Sequence, residues 1–176
     1  TTVDPESDLV LAEVAGGKNG ALQVAFDQYA GNTTHSVVPL RGESSFFRVN
    51  TPAGQANVHG TIFSVDVANE QAWFAVERGE VEVSSAQGNV TLTAGQATIS
   101  DADTPPDAPA YEFNLQGEIT AMTETTWTVQ GVTVTLGEID YEDITYSVGD
   151  LVFVRGRILA DGTWVAIENQ EVYRAQ

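Results

Sequence analysis

Short runs in which apolar and polar residues alternate fill most of the chain, and turns rich in Gly, Pro, Asn and Asp interrupt them about every ten residues. Leu22, Val24 and Phe26 share one face of an extended segment; Val81 and Val83 do the same, with Glu80 and Glu82 on the opposite face. Val, Ile and Thr dominate these runs, and their stiff branched side chains suit a pleated surface better than a helix. No useful length of the first hundred residues carries helical spacing. The pattern predicts an all-β protein.

The turns set the expected order. After an acidic arm, residues 1–8, Leu9–Ala15 and Ala21–Phe26 flank Gly16-Gly17-Lys18-Asn19-Gly20 and predict an N-terminal hairpin. A break is expected at Gly31-Asn32, with further strands at 35–40, 45–50, 58–67, 72–77, 80–83, 90–93 and 96–99. Gly60 interrupts the 58–67 run, as glycine does at a bulge, a bend or a close backbone approach.

Asp101-Ala-Asp-Thr-Pro-Pro-Asp-Ala-Pro-Ala110 holds three prolines and three aspartates, the composition of an extended, semi-rigid linker. The expected division is a β-domain with its arm and hairpin over 1–100, a linker over 101–110 and a small β-domain over 111–176. Beyond the linker five strands are expected in about sixty residues, with Gly117 in the first and Gly156 in the fourth, and Asp161-Gly162 turning the fourth into the fifth. That arrangement predicts a small, partly open barrel of OB type, with a plain β-sandwich as the alternative.

Charge limits the partners. Twenty-five acidic residues face seven basic ones, Lys18 is the single lysine, and the net charge of −18 leaves no basic stripe to follow a phosphate backbone. Nucleic acid and anionic lipid surfaces are poor partners for the chain, and no nucleic-acid partner is expected. Such a surface suits a saline habitat or an acidic secreted protein. The absence of cysteine removes disulfides, thiolate metal sites and a cysteine nucleophile. No apolar run reaches the ~20 residues of a membrane helix. A first residue that is Thr1 and not methionine suggests a processed product, so an extracytoplasmic location is expected. Asn32-Thr33-Thr34 and Asn89-Val90-Thr91 are glycosylation sequons.

Val49, Thr51-Pro52, Gly54, Val58, Gly60-Thr61, Phe63, Val65, Ala75-Val76, Gly79, Val81-Glu82-Val83, Leu92 and Ala94-Gly95-Gln96 form an ordered set. With it, residues 34–97 resemble the FecR family of extracytoplasmic domains. The family commonly has arginine just before the Gly-Thr pair, where this chain has His59. The resemblance implies a FecR-like stack of short antiparallel strands and the outer half of a membrane regulator that governs a sigma factor. Residues 115–172, through Gly117-Glu118-Ile119, Val129-Gln130-Gly131, Val148-Gly149-Asp150, Val152, Val154, Gly156, Asp161-Gly162 and Ala166-Ile167, resemble a second small β family of unassigned function found in secreted bacterial proteins.

Some regulators of the FecR type cleave themselves at the Gly-Thr pair. The resemblance implies that Thr61 Oγ1 would attack the Gly60 carbonyl, and that water would hydrolyse the resulting ester. The competing reading makes Gly60 a bulge and Thr61 a strand residue. His35 and His59 could serve as bases or metal ligands but are expected in surface or half-buried structural roles. Glu80 and Glu82 read as a solvated strand face, and Ser44 and Ser45 lie in no nucleophile elbow. The acidic cluster Glu138, Asp140, Glu142 and Asp143 is a candidate calcium site, as is Asp101 with Asp103, because calcium takes six to eight oxygen ligands.

The expectation is therefore a non-catalytic, cofactor-free interaction or structural module. Its main reading is a self-assembling subunit of an extracellular surface assembly or filament, in which Leu9–Ala15 is donated to a neighbouring copy. The alternative is the signal-sensing ectodomain of a FecR-type membrane anti-sigma regulator.

Overall fold

Every element of regular structure is a β-strand in the computed structural model, which describes residues 1–17, 20–42, 44–136 and 146–168. The all-β class expected from the alternation holds. The chain divides into two compact units, Thr1–Pro109 and Ala110–Gln176.

The first unit is built on β3 (Leu22–Ser36). Residues 22–27 of β3 lie between β2 (Asp8–Gly16) and β4 (Phe46–Thr51), antiparallel to the first and parallel to the second. Residues 31–36 lie between β1 (Thr2–Val3) and β6 (Ile62–Ala68). The break expected at Gly31-Asn32 is instead a bend within one strand. Gly31 has a φ of +78°, and a Cβ there would strike Ser7, so only glycine turns the strand while keeping its pairing to Val67. The strand expected over 35–40 ends at Ser36, and the next residues are held by Val37 N–H to Thr61 O and Leu40 N–H to His59 O.

Beyond β6 follow β7 (Gln71–Arg78) and β10 (Gln96–Asp101) on one side. Beyond β4 follow β5 (Gly54–Val58), β8 (Glu80–Ser84) and β9 (Asn89–Thr93) on the other. The core of this unit gathers Val49, Val58, Phe63, Val65, Phe74, Val81, Val83 and Leu92, all of them buried. Each is the inward member of an alternating pair, which is why Val81 and Val83 are buried while Glu80 and Glu82 are exposed.

The proline- and aspartate-rich segment is bonded to the first unit. Pro106 is buried, Asp107 N–H donates to Ile99 O at 2.9 Å, Thr98 Oγ1 donates to Asp107 O at 2.7 Å, and Ser85 Oγ donates to Thr104 O at 3.1 Å.

The second unit is a closed barrel of β11 (Ala110–Met122), β12 (Thr126–Val129), β13 (Val132–Leu136), β14 (Leu151–Ile158) and β15 (Trp164–Glu168). β11 pairs with both β12 and β14, and the parallel β13–β15 pair completes the ring. Closure removes the sheet edges that a partly open barrel would leave. Gly117 stands where β11 leaves β14 and takes up β12. Gly156 lets β15 pass closely, because a Cβ there would strike Val165 O and the Phe113 ring. Gln130 and Gly131, with φ of 52° and 79°, make the two-residue turn of the β12–β13 hairpin. Phe113, Ile119, Trp127, Val129, Val134, Val152, Val154 and Ala166 fill the interior.

Candidate functional site

The Gly60-Thr61 pair lies between β5 and β6, just ahead of the latter, and not at the centre of a strand as its sequence context suggests. Two contacts shape it. A Cβ on Gly60 would come within 2.7 Å of Pro39 Cα, so the chain folds here against the 37–40 segment. A Cβ on Gly79 would lie 2.9 Å from Gly60 O and 3.2 Å from Thr61 Oγ1, so the Arg78-Gly79 turn closes on the same two groups. Thr61 is buried and its hydroxyl donates to Glu80 O at 3.0 Å. A peptide carbonyl is too weak a base to take that proton, so the hydroxyl is held in place without being activated.

An open cavity of about 360 Å³ adjoins the pair, lined by Pro39, Asn57, His59, Glu80 and Glu82 among others. His59, Glu80 and Glu82 are exposed, and among the described residues no group of three or more His, Asp or Glu is placed to hold a metal ion. The expected calcium cluster Glu138, Asp140, Glu142 and Asp143 lies outside the described residues. Asp101 closes a local turn with Asp103, whose N–H donates to Asp101 Oδ1 at 3.0 Å. Ser45 is buried, with its hydroxyl donating to Arg41 O and accepting from Leu22 N–H at 3.0 Å, while Ser44 stays exposed. Asn32 is half-buried in β3 with its amide on Asp4, whereas Asn89 is exposed.

His35 departs from the surface or half-buried place expected for it: it is fully buried. Phe63 stacks on it at 5.0 Å between ring centroids, and Phe47 and Phe26 approach at 5.3 Å and 5.8 Å. Buried Gln28 and Thr33 complete a polar chain with it. Gln28 Nε2 donates to Gly31 O at 2.6 Å and Val65 O at 3.0 Å, and Thr33 Oγ1 donates to Gln28 Oε1 at 2.6 Å. Thr33 has then spent its one proton, so in the 2.8 Å contact His35 Nε2–H must donate to Thr33 Oγ1. Nδ1 is left to accept from Thr1 Oγ1 at 3.1 Å. Neutral His35 satisfies every partner, and burial lowers its pKa from 6.5 to about 4. The sequence carried one signal for this network, since Gln28 follows Leu22, Val24 and Phe26 at a period of two.

The same face of the sheet is apolar but uncovered at its margin. Leu11 pairs with Phe26 and Val14 with Val24, although Leu11 and Val14 are an odd number of residues apart. The register shift between Leu11 and Glu13 absorbs one residue, which brings both side chains to one face. Leu11, Val14 and Leu22 are 55%, 62% and 41% exposed. Among the described residues β2 pairs only with β3, so its other edge is open.

Residues 116–168 match the model of a domain of unknown function, DUF5666, which covers less than a third of the chain. No curated protein matches. Two crystal structures from Parabacteroides distasonis, both of a protein provisionally described as an anti-sigma factor, are similar in fold. One is 15% identical over 80% of this chain and 72% of its own, with a TM-score of 0.48. The other is 13% identical over 93% and 100%, with a TM-score of 0.45. Similarity at this level extends to neither activity nor partner.

Proposed function

We propose that the chain is a non-catalytic, protein-binding module outside the cytoplasm, the signal-receiving part of a membrane regulator of the anti-sigma type. The observation that carries it is the open edge of β2, with exposed Leu11 and Val14, a surface shaped for another polypeptide. The resemblance of residues 34–97 to FecR domains supplies the class of regulator. The held but unactivated Thr61 hydroxyl supports a landmark role for Gly60-Thr61. Among the described residues no helix is long and apolar enough to cross a membrane, so the regulator reading places the anchor elsewhere in the gene product.

A second reading, self-assembly by N-terminal strand exchange, is favoured by one feature: none of the nine residues of β2 is buried, so the strand leaves its own unit at little cost in core. One experiment separates the two. The regulator reading expects the gene to encode a membrane helix and a cytoplasmic domain ahead of Thr1, and a sigma-factor reporter to stop answering its signal when residues 1–176 are deleted. A signal peptide alone ahead of Thr1, with multimers that fall to monomers when residues 1–15 are removed, would establish assembly instead.

A further inference from the structure

We propose that the outer edge of β2 binds one extended segment of a different protein, apolar at alternate positions with basic side chains between them, which adds to the sheet as a new strand. This rests on the protein-binding reading above and specifies the partner's chemistry. Three observations lead to it. An edge strand offers a row of main-chain N–H and C=O groups, and soluble proteins commonly guard such rows with lysine or proline. β2, with the sequence DLVLAEVAG, has neither, and its edge is guarded only by the register shifts at Asp8/Leu9 and Leu11/Glu13 and by the acidic Asp8 and Glu13, which repel an acidic strand and not a basic one.

The face beside that edge is the core face continued outward: Phe26 touches the buried aromatic cluster, while Leu22, Leu11 and Val14 extend the same apolar row into solvent. Alternate side chains of an added strand would stand over this row, at the two-residue period of any strand. The intervening positions would meet acid, since Asp8 and Glu13 lie on β2 and Asp27 on the neighbouring strand. Charge also weighs against a second copy as the occupant. Two chains of −18 each would be brought together with their strands about 5 Å apart, well inside the ~8 Å screening length of physiological salt.

The test uses the full chain and three capped ten-residue peptides. One alternates valine with lysine, one has the same composition as a valine block and a lysine block, and one alternates valine with glutamate. The alternating valine–lysine peptide should bind and slow amide exchange within residues 8–16. The Leu11→Lys/Val14→Lys variant should weaken that binding by about tenfold or more. Because both side chains are exposed, the variant should melt like the parent, which keeps the result readable.

Equal binding of the block peptide would reduce the effect to bulk charge and overturn the proposal. So would protection outside β2, unchanged affinity in the variant, or protection of β2 that grows with protein concentration and no peptide. The outcomes are separable from those of the regulator reading: a gene without a membrane helix removes that reading and leaves the peptide result standing, and the reverse holds.

Discussion

Two places along β3 reverse the usual assignment of side chains. At the bend, Gln28, Thr33 and His35 are buried, while at the other end Leu22 is exposed beside Leu11 and Val14 of β2. Both halves alternate at a period of two, but the phase shifts by one residue across the Gly31 bend, so Leu22 and Gln28 belong to one run and Thr33 and His35 to the next. What differs is the covering. The rings of Phe26, Phe47 and Phe63 enclose the bend around His35, whereas Leu11, Val14 and Leu22 stay exposed, so polar groups at the bend must find partners inside and apolar groups at the margin are left in water. A period of two therefore tells which residues share a face, and only the packing tells whether that face is closed.

The largest test of this contrast is a pH titration of stability. Neutral His35 fits its network, and protonation would put a second ring N–H against Thr1 Oγ1 in an aromatic surround. Its folded pKa of about 4 lies below the ordinary 6.5, so between these values the unfolded chain binds the proton and the folded one does not. Stability from this group is complete above pH 6.5 and falls as the pH drops to 4. At 1.36 kcal/mol per pKa unit the loss is about 3 kcal/mol. Urea unfolding of the parent and of His35→Phe across this range isolates it, since the carboxylates titrate alike in both. Parallel curves would place His35 in contact with water.

A smaller loss is expected from Thr33→Val, which removes the one atom joining Gln28 to His35. Gln28 Oε1 loses its donor and His35 Nε2–H its acceptor, both in the interior. Leaving buried polar groups unpaired costs about 1–3 kcal/mol, and about 2 kcal/mol is expected here. The urea midpoint should fall with an unchanged slope. A midpoint equal to that of the parent would mean that water replaces the hydroxyl.

Most strands of the first unit were legible because their alternation and their turns agree. Val81 and Val83 against Glu80 and Glu82, and the Asp161-Gly162 turn, needed nothing beyond local chemistry. Local pattern misleads where a glycine serves a distant contact. Gly31 looks like a break and is a bend forced by Ser7; Gly60 looks like an interruption within a strand and is a crossing against Pro39. Closure of the barrel by the parallel β13–β15 pair depends on a partner remote in sequence, which local alternation does not encode. The polar chain from Gln28 to His35 was visible only as a period, because its energetics depend on what lies above it.

The smallest expected effect is the sharpest check on the open edge. Replacing Leu11, Val14 and Leu22 together by threonine keeps β-branched or strand-compatible side chains and removes the apolar row. Surface changes away from special features usually stay within ~0.5 kcal/mol, so the midpoint of unfolding should barely move although three apolar residues are lost. A drop of about 2 kcal/mol or more would show that the row is covered in solution, either by the chain itself or by a second copy. Sedimentation at two concentrations then tells which, since only a second copy makes the effect depend on concentration. An unmoved midpoint leaves the row with no part in folding, and its apolar character is then free to serve a contact with another chain.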